Sequence, residues 1–297
     1  MSEADGTASG LVVVDKEPGW NSHDVVARCR RIFGQRRVGH AGTLDPDASG
    51  LVLVGLGRAT RLLRFVTALP KTYRAEVVLG ATTTTLDASG AVTARFEMGG
   101  VTLEQVRDAA RQLTGEILQV PPMVSAVKVG GVPLHRLARQ GLEVERQARP
   151  VTVYRFEILA EVEPGVFAVE VECSAGTYVR VLAADLGAAL GGGAHLRNLR
   201  RVRVGSFSED DAHSLEDLAV CGRDCVLAPA EALRDVERVV VDGEIRQLVA
   251  LGRALNRAPL GAHGSGPWRL VDDKGDLLAV YEAAPGDRIR PAVVLAS

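Results

Sequence analysis

The spacing of apolar and polar residues predicts β-structure in the first half of the chain. From residue 72 to residue 79, apolar residues at the odd positions alternate with Thr72, Arg74 and Glu76, which is the period of a half-buried strand. Residues 51–57 form an almost unbroken apolar run and predict a fully buried strand.

Further along the chain, two apolar-rich segments, 151–163 and 166–174, flank Pro164 and Gly165 and predict a β-hairpin. Apolar stripes at helical spacing, with Ser22 as an N-cap and a Thr102–Gln105 capping box, predict helices. The predicted helices cover residues 22–33, 58–65, 102–114, 134–140, 177–190, 214–220 and 242–251. Short strands are predicted at 11–14, 201–207, 268–272, 277–282 and 291–295.

These elements do not alternate regularly as βαβ units, and hairpins dominate. We therefore expect an α+β fold with a mixed, largely antiparallel central sheet flanked by helices and loops. The small, polar residues 1–9 predict a disordered N-terminus. The pattern changes near residue 235, so we expect one large domain at residues 10–235 and a small helix-plus-sheet domain at 236–297.

Composition narrows the possible classes of protein. The chain has 297 residues, a net charge of -2 and 46% hydrophobic residues, which is ordinary for a soluble protein. It contains neither a GxGxxG nor a GxxxxGK[ST] motif, so a bound nucleotide cofactor is not indicated. The four cysteines are scattered; a zinc site is not expected, and a reduced cytoplasm fits best.

The charge is unevenly distributed. Residues 16–74 contain eleven basic and four acidic residues, and residues 197–203 contain four arginines and no acid. Segments of this kind could converge on one face that binds a polyanion, although a merely solvated surface would give the same counts.

The loop at residues 39–50 carries the strongest signal for chemistry. It contains three glycines, and Pro46 forces the preceding Asp45 out of the helical region of backbone space. A carboxylate held on a stiff loop beside a core strand is typical of a catalytic group, whereas an isolated Asp-Pro more often caps a turn.

Several segments together resemble the TruB family of bacterial tRNA pseudouridine-55 synthases. The resemblance covers residues 10–233, and its most specific part is the GHAGTLDP sequence around Asp45. Glu17 and Trp20 depart from the family's commonest DKPxGxxS form. The segments that carry the resemblance are Asp15–Ser22, Gly39–Gly50, Lys71–Tyr73, Pro121–Lys128, Cys173–Arg180 and Gly193–Arg201.

The resemblance implies a pseudouridine synthase fold with a catalytic domain at residues 10–235. It also implies that Asp45 is a nucleophile toward C1′ of the ribose or C6 of uracil, and that Arg180 pairs with it. Tyr73 would stack on the target uracil and is a candidate to move a proton; alone, it would more often be a core residue. Three further residues would contact substrate: His40, Tyr178 and Leu199.

The resemblance further implies tRNA as the partner, bound at its T loop and stem, and a reaction that needs no cofactor or metal. Candidates for contacts to the RNA backbone are Lys128, Arg197, Arg200 and Arg201, together with Arg203 and the basic cluster at residues 28–37. The C-terminal segment is similar to a reduced PUA domain, an RNA-binding module. We expect a cytoplasmic monomer that requires neither a protein partner nor a membrane.

Three alternatives remain open at this point. The chain could be a guide-RNA-dependent pseudouridine synthase that needs partner proteins. It could be an RNA-binding or RNA-folding protein that kept the scaffold without the activity. It could also be a hydrolase that attacks C1′ with Asp45 and releases the base, although such enzymes usually need a second carboxylate, and Asp47 is the only evident candidate.

Overall fold

The computed structural model describes residues 7–125 and 127–295. Its helices are α1 (Ser22–Ile32), α2 (Leu63–Thr67), α3 (Leu103–Gln112), α4 (Leu134–Arg139), α5 (Val179–Ala189), α6 (Leu215–Cys221) and α7 (Gly243–Ala250). Short 3-10 segments lie at Gly57–Leu62, Glu209–Asp211, Gly222–Cys225, Glu231–Leu233 and Ala258–Leu260. In the part of the chain that the structure describes, no helix has the length and apolar character needed to cross a membrane.

The strands, in chain order, are β1 (Gly10–Lys16), β2 (Val38–Ala41), β3 (Ser49–Leu56), β4 (Lys71–Leu79), β5 (Ala81–Thr83), β6 (Val92–Arg95), β7 (Gly115–Gln119), β8 (Lys128–Val129), β9 (Val132–Pro133), β10 (Arg149–Glu163), β11 (Val166–Cys173), β12 (Ala194–Val204), β13 (Phe207–Ser208), β14 (Ala212–His213), β15 (Glu237–Val240), β16 (Leu255–Asn256), β17 (Trp268–Val271), β18 (Leu277–Ala284) and β19 (Arg288–Val294).

The main sheet has the order β14-β1-β3-β12-β4-β11-β10-β7, and β2 and β13 add to β3 and β12. Its pairs are antiparallel except for β1 with β14 and β3 with β12. The prediction of an α+β fold with a mixed, largely antiparallel sheet is therefore confirmed. The parallel pair β3–β12 brings residues 49–50, at the end of the loop that contains Asp45, beside residues 200–201.

Three apolar cores lie on this sheet, and the third of them also contacts the C-terminal sheet. Helices α3 and α5 pack on one half of it against buried side chains such as Val77, Phe167 and Val169. Helices α1 and α6 pack on the other half against β1 and β3. The predicted alternation in β4 holds from Arg74 onward, since Ala75, Val77 and Leu79 are buried and Arg74 is exposed; Thr72, predicted on the polar face, is buried.

The second sheet, at the C-terminal end of the chain, has the order β15-β17-β18-β19-β16 and packs with α7 around Trp268 and Tyr281. One side of it joins a core of the main sheet through residues such as Val280 and Val293. The Arg61 guanidinium donates to the carbonyl of Val294 at 2.8 Å. The small helix-plus-sheet domain of the predicted fold is thus present, and the boundary at residue 235 stays a prediction.

Several predicted details of the elements were wrong. Helix α1 is capped by Asn21, not Ser22, because the Asn21 side chain accepts from the backbone of residues 23 and 24. The prediction of a disordered segment at residues 1–9 includes too many residues. The first six lie outside the described residues, but Ala8 is buried and its carbonyl accepts a hydrogen bond from Gln35. The strand predicted at 201–207 begins earlier, at Ala194.

Two further features of the structure were not predicted. Part of the glycine-rich loop, Val38–Ala41, is a strand paired with β3, since β3 offers it a free edge. Cys221 and Cys225, expected to be reduced, form a disulfide at the end of α6.

Gly50 allows β3 and β12 to approach closely. Its φ is +99°, and a Cβ added there would lie 2.2 Å from the carbonyl oxygen of Arg201. A side chain at this position would therefore be strained by its backbone conformation and would also push β12 away from β3.

We expect Gly50→Ala to lower the free energy of unfolding by about 3 kcal/mol or more, because strain and displacement add. The matched control is Gly115→Ala, where φ is +103° but no atom lies within 4 Å of the added Cβ. The control should lose about 1 to 2 kcal/mol, from backbone strain alone. Chemical denaturation measures both, and equal losses would contradict the close-approach argument.

Candidate active site

The loop after β2 holds Asp45 through contacts to its neighbours. Ser22 Oγ accepts from the Leu44 amide at 2.9 Å, which ties the loop to the start of α1. The carbonyl of Pro46 accepts from the Gly19 amide at 2.9 Å and from Lys16 Nζ at 3.1 Å. Asp45 thus lies between two anchored residues, and its backbone has little freedom.

Lys16 is the buried cation of this anchor. Its side chain is fully buried, and Nζ also donates to the carbonyls of Glu17 and Trp20. Burial lowers the pKa of Lys16 to about 8, against the opposing pull of Asp47 and Asp45. An ammonium group that reaches three carbonyls satisfies all its donors, so Lys16 joins the end of β1 to the loop.

Arg180 lies opposite Asp45. Its Nη2 is 2.9 Å from Asp45 Oδ2, and its side chain is 4% exposed. The guanidinium also donates to the carbonyls of Thr85 at 2.8 Å and Val124 at 3.0 Å. These contacts fix the plane of the guanidinium. The structure thus contains the contact between Asp45 and Arg180 that the resemblance implies.

Burial, Arg180, Asp87 and, least of all, Asp47 act on the ionisation of Asp45. The side chain is 42% exposed toward the cavity, yet desolvation by the surrounding protein is the largest influence and raises its pKa. Arg180 opposes this by favouring the charged form, and the carboxylate of Asp87 raises the pKa further. Asp87 is itself 3.5 Å from Arg180 Nη1, so two carboxylates share one buried cation.

A cavity of about 260 Å³ opens beside Asp45. Tyr73, Tyr178 and Leu199, all predicted from the sequence, line it together with Asp45 and Arg180; the other lining residues are Gly42, Thr43, Leu44, Thr67, Lys71, Ser125, Ala175, Gly176, Thr177, Val179 and Arg201. A second cavity of about 360 Å³ lies across Asp45 and is bordered by Asp87 and Asn198. Asp45 therefore stands between two spaces open to a ligand.

Tyr178 is held at the start of α5 by Gln119. The Tyr178 amide donates to Gln119 Oε1 at 2.7 Å, and Gln119 Nε2 donates to the Tyr178 carbonyl at 3.1 Å. Gln119 is almost completely buried. The side chain thus joins the edge strand β7 to the wall of the cavity.

His40 lies outside this cavity. It belongs to β2, is half-buried, and its ring centroid is 5.2 Å from that of His23 in an edge-on arrangement. Burial, then His23, lowers the pKa of His40, so the ring is biased toward its neutral form. A contact between His40 and substrate stays a prediction.

The arginines predicted to contact RNA are mostly occupied by protein groups. Arg201 is 1% exposed and donates to the carbonyls of Leu51 and Gly42, although it also lines the cavity; a contact between Arg201 and the RNA backbone stays a prediction. Arg200 pairs with Asp15 and Glu209, each at 2.7 Å.

Arg197 pairs with Glu76 and Glu163, and these carboxylates compete with phosphate for the guanidinium. Lys128 is exposed in the short hairpin of β8 and β9, and a contact between Lys128 and RNA stays a prediction.

Three residues of the site were missed from the sequence: Asp87, Lys16 and Gln119. Asp87 lies in a polar loop with nothing nearby in sequence to mark it. Lys16 could have been found, because a lysine at the end of a buried strand must find acceptors. Within the described residues, no group of three or more His, Cys, Asp or Glu side chains is arranged to hold a metal.

We expect opposite effects on Asp45 from two substitutions around it. Arg180→Met should raise the pKa of Asp45 further, because the cation that favours the carboxylate is lost. Asp87→Asn should lower it, because a like charge is lost. Titration of the Asp45 side-chain carbon by NMR measures both; shifts in the same direction would contradict the shared-cation geometry.

Two protein-family models match the chain. Residues 30–179 match the family model described as TruB family pseudouridylate synthase (N terminal domain), and residues 180–240 match the tRNA pseudouridylate synthase B C-terminal domain.

The chain is 46% identical to tRNA pseudouridine synthase B of Mycobacterium tuberculosis (strain H37Rv) over 97% of this chain and 96% of that protein. It is also 46% identical to tRNA pseudouridine synthase B of Rhodococcus jostii (strain RHA1), over 92% and 90%.

Among solved structures, a Cbf5-Nop10-Gar1 complex contains a chain with a TM-score of 0.74 and 28% identity, covering 94% of this chain and 80% of that one. An archaeal box H/ACA sRNP Nop10-Cbf5 complex gives a TM-score of 0.73 and 26% identity, with coverage of 98% and 86%.

Proposed function

Because this chain belongs to the TruB family of pseudouridylate synthases, we propose that it converts uridine 55 in the T loop of tRNA to pseudouridine, with Asp45 as the nucleophile. It is an isomerase that acts on tRNA uridine. The observation that supports the proposed site best is the 2.9 Å pair of Asp45 and Arg180 at the wall of a cavity that Tyr73 also lines.

The reaction breaks the N1–C1′ bond and forms a C5–C1′ bond. The proton on C5 is lost, and N1 gains one, so no oxidant, reductant or energy donor is consumed. Asp45 attacks either C1′ or C6, and in both routes it must leave again at the end. A carboxylate suits this task because it is nucleophilic when ionised and is also a competent leaving group.

Arg180 keeps Asp45 in its reactive form. Burial favours the neutral acid, and the guanidinium at 2.9 Å opposes this by stabilising the carboxylate. Because Arg180 is also held by the carbonyls of Thr85 and Val124, it orients the carboxylate without moving itself.

The target base must leave its stack before Asp45 can reach it. Extrusion of a nucleotide costs a few kcal/mol. Tyr73 offers an aromatic face in the cavity, and stacking of a base on such a face contributes about 1–3 kcal/mol. Tyr178 and Leu199 close the same cavity around the ring.

We further propose that the protein acts alone, as a monomer. The related Cbf5 chains are described in complexes with Nop10 and Gar1, so a guide-dependent enzyme is the nearest alternative. The match over nearly the full length of tRNA pseudouridine synthase B favours the stand-alone kind.

Asp45→Asn should bind tRNA as tightly as the parent protein and produce no detectable pseudouridine, since an amide is a very poor nucleophile. The measurements are filter binding and product analysis on one tRNA transcript. Asp47→Asn, in the same loop, is the matched control and should retain turnover. Turnover by Asp45→Asn at the parent rate would refute the nucleophile.

An unmodified tRNA transcript incubated with the purified protein alone should gain pseudouridine at position 55 and nowhere else. Sequencing after chemical labelling of pseudouridine reports the position, and a transcript with cytidine at 55 is the control. Binding without product would support the RNA-folding alternative, and free uracil would support the hydrolase. Product that appears only after addition of guide RNA and partner proteins would support the guide-dependent alternative.

A further inference from the structure

The pairing of β12 with β4 is interrupted beside the candidate site. Arg197 lies opposite Glu76, and Arg200 lies opposite Arg74, so two residues of β12, at positions 198 and 199, lie opposite a single residue of β4. An extra residue of this kind is a β-bulge, which bends its strand and turns the side chains that follow. Bulges are frequent next to active sites, so we asked what this one positions.

Asn198 has an unusual backbone conformation within the bulge. Its φ is +54°, in the left-handed region that residues other than glycine, asparagine and aspartate rarely enter. Among the described residues other than glycine, only Leu86 also has a positive φ. The exposed side chain of Asn198 donates from Nδ2 to Glu76 Oε2 at 3.1 Å, and the same carboxylate pairs with Arg197. Both contacts join the bulge to β4.

The bulge changes the face of the sheet to which the next side chains point. In an unbroken strand, residues three apart point to opposite faces. Leu196 and Leu199 nevertheless pack on the same apolar core and line the same cavity of about 360 Å³. Without the extra residue, Leu199 would share the face of Arg197, whose guanidinium pairs with Glu76 and Glu163. The position of Leu199 in the site therefore depends on the bulge.

Leu199 is an apolar side chain that the two cavities beside Asp45 share. It lines both of them, as Asp45 and Arg180 do. It also packs, together with Tyr73, against the apolar cores on both halves of the main sheet. A displacement of Leu199 would therefore change the shape of the space next to the Asp45 carboxylate.

The segments of β12 on either side of the bulge are fixed to the loops of Asp45 and Asp87. Before the bulge, the Leu196 amide donates to the carbonyl of Leu86 at 3.0 Å, and the Leu196 carbonyl accepts from the amide of Ala88 at 2.8 Å. After it, residues 200–201 pair with residues 49–50, at the end of the Asp45 loop. The strand cannot slide to remove the bulge without breaking one of these pairings, so the backbone at position 198 must accommodate the extra residue.

Resting on the proposed function, we propose that Asn198 is a positioning residue for pseudouridine formation. Its left-handed backbone and its hydrogen bond to Glu76 hold the bulge that turns Leu199 into the wall shared by the two cavities, and Leu199 in turn holds the target base beside Asp45. Because Asn198 acts through Leu199, its replacement should change the rate of the reaction more than the affinity for tRNA.

Two substitutions at position 198 test this role. Asn198→Gly retains the left-handed conformation and loses the hydrogen bond to Glu76, so the single-turnover rate of pseudouridine formation should stay within about threefold of the parent rate. Asn198→Val disfavours this conformation, because branched side chains rarely adopt it, and should lower the rate by about tenfold or more as Leu199 is displaced. The Kd for tRNA should change by less than about threefold in both variants.

A double-mutant cycle and a matched control separate positioning from a general loss of structure. In a Leu199→Ala background, Asn198→Val should lower the rate by no more than about threefold, because the side chain that the bulge positions is already absent. Gly165→Val places the same branched side chain at a φ of +72° in the turn between β10 and β11, with no atom of the described residues within 4 Å of the added Cβ. It should lower the stability measured by chemical denaturation and leave the rate unchanged.

Equal rates in Asn198→Gly and Asn198→Val would overturn the proposal, because the backbone conformation at this position would then have no effect on the reaction. An undiminished effect of Asn198→Val in the Leu199→Ala background would overturn it too, as would a loss of tRNA affinity at an unchanged rate. If Asn198→Val does not fold, Asn198→Ala is compared with Asn198→Gly by the same measurements and decides in the same way.

A spectroscopic readout is independent of turnover. The methyl NMR signals of Leu199, assigned through Leu199→Ala, should move further from their parent positions in Asn198→Val than in Asn198→Gly. Signals that move equally in the two variants would refute the positioning of Leu199 by the backbone of residue 198. If the parent protein forms no pseudouridine on a tRNA transcript, the proposed function fails, while these spectra still test whether Asn198 positions Leu199.

Discussion

The ion pair between Asp45 and Arg180 is the interaction on which the site depends. It joins a loop near the start of the chain to a helix more than a hundred residues later, and it forms only because β3, β12 and β4 are adjacent in the sheet. The arginine is buried, and its guanidinium donates to two backbone carbonyls that fix its position. The Asp45 carboxylate therefore orients toward the arginine. A second carboxylate, Asp87, shares the same cation and limits how strongly it can stabilise Asp45.

The rigidity of the site comes from buried cations that bind carbonyls. Lys16 donates to the carbonyl of Pro46, which follows Asp45 in the loop. Arg201 donates to the carbonyl of Gly42, which precedes Asp45. Neither cation pairs with a carboxylate within the described residues, so each is satisfied mainly by peptide dipoles. Such contacts have directional demands that a surface ion pair lacks, and they restrict the movement of the loop that carries Asp45.

The sequence was sufficient where local periodicity and a specific motif decide the outcome. The alternation in β4 and the capping box at Thr102 each determine one element, and the resemblance to the TruB family implied the pairing of Asp45 with Arg180. It was insufficient where the outcome depends on which strands become neighbours. Arg201 and Arg200 are adjacent in sequence and equal in charge, yet one faces the cavity and the other faces Asp15 and Glu209. Only the pairing of β12 with β3 and β4 separates them.

The different environments of these arginines determine how much free positive charge β12 presents. With Arg201 buried and Arg197 and Arg200 each held between two acids, β12 presents little free positive charge to a phosphate. Residues 25–44 contain five arginines and no acid. The arginines of this segment form no ion pair with a carboxylate in the described part of the chain, and the segment leads directly into the loop of Asp45. Since charges already paired add little to the attraction of a polyanion, the unpaired arginines of α1 and of the turn into β2 contribute more to such an attraction than the paired arginines of β12 do.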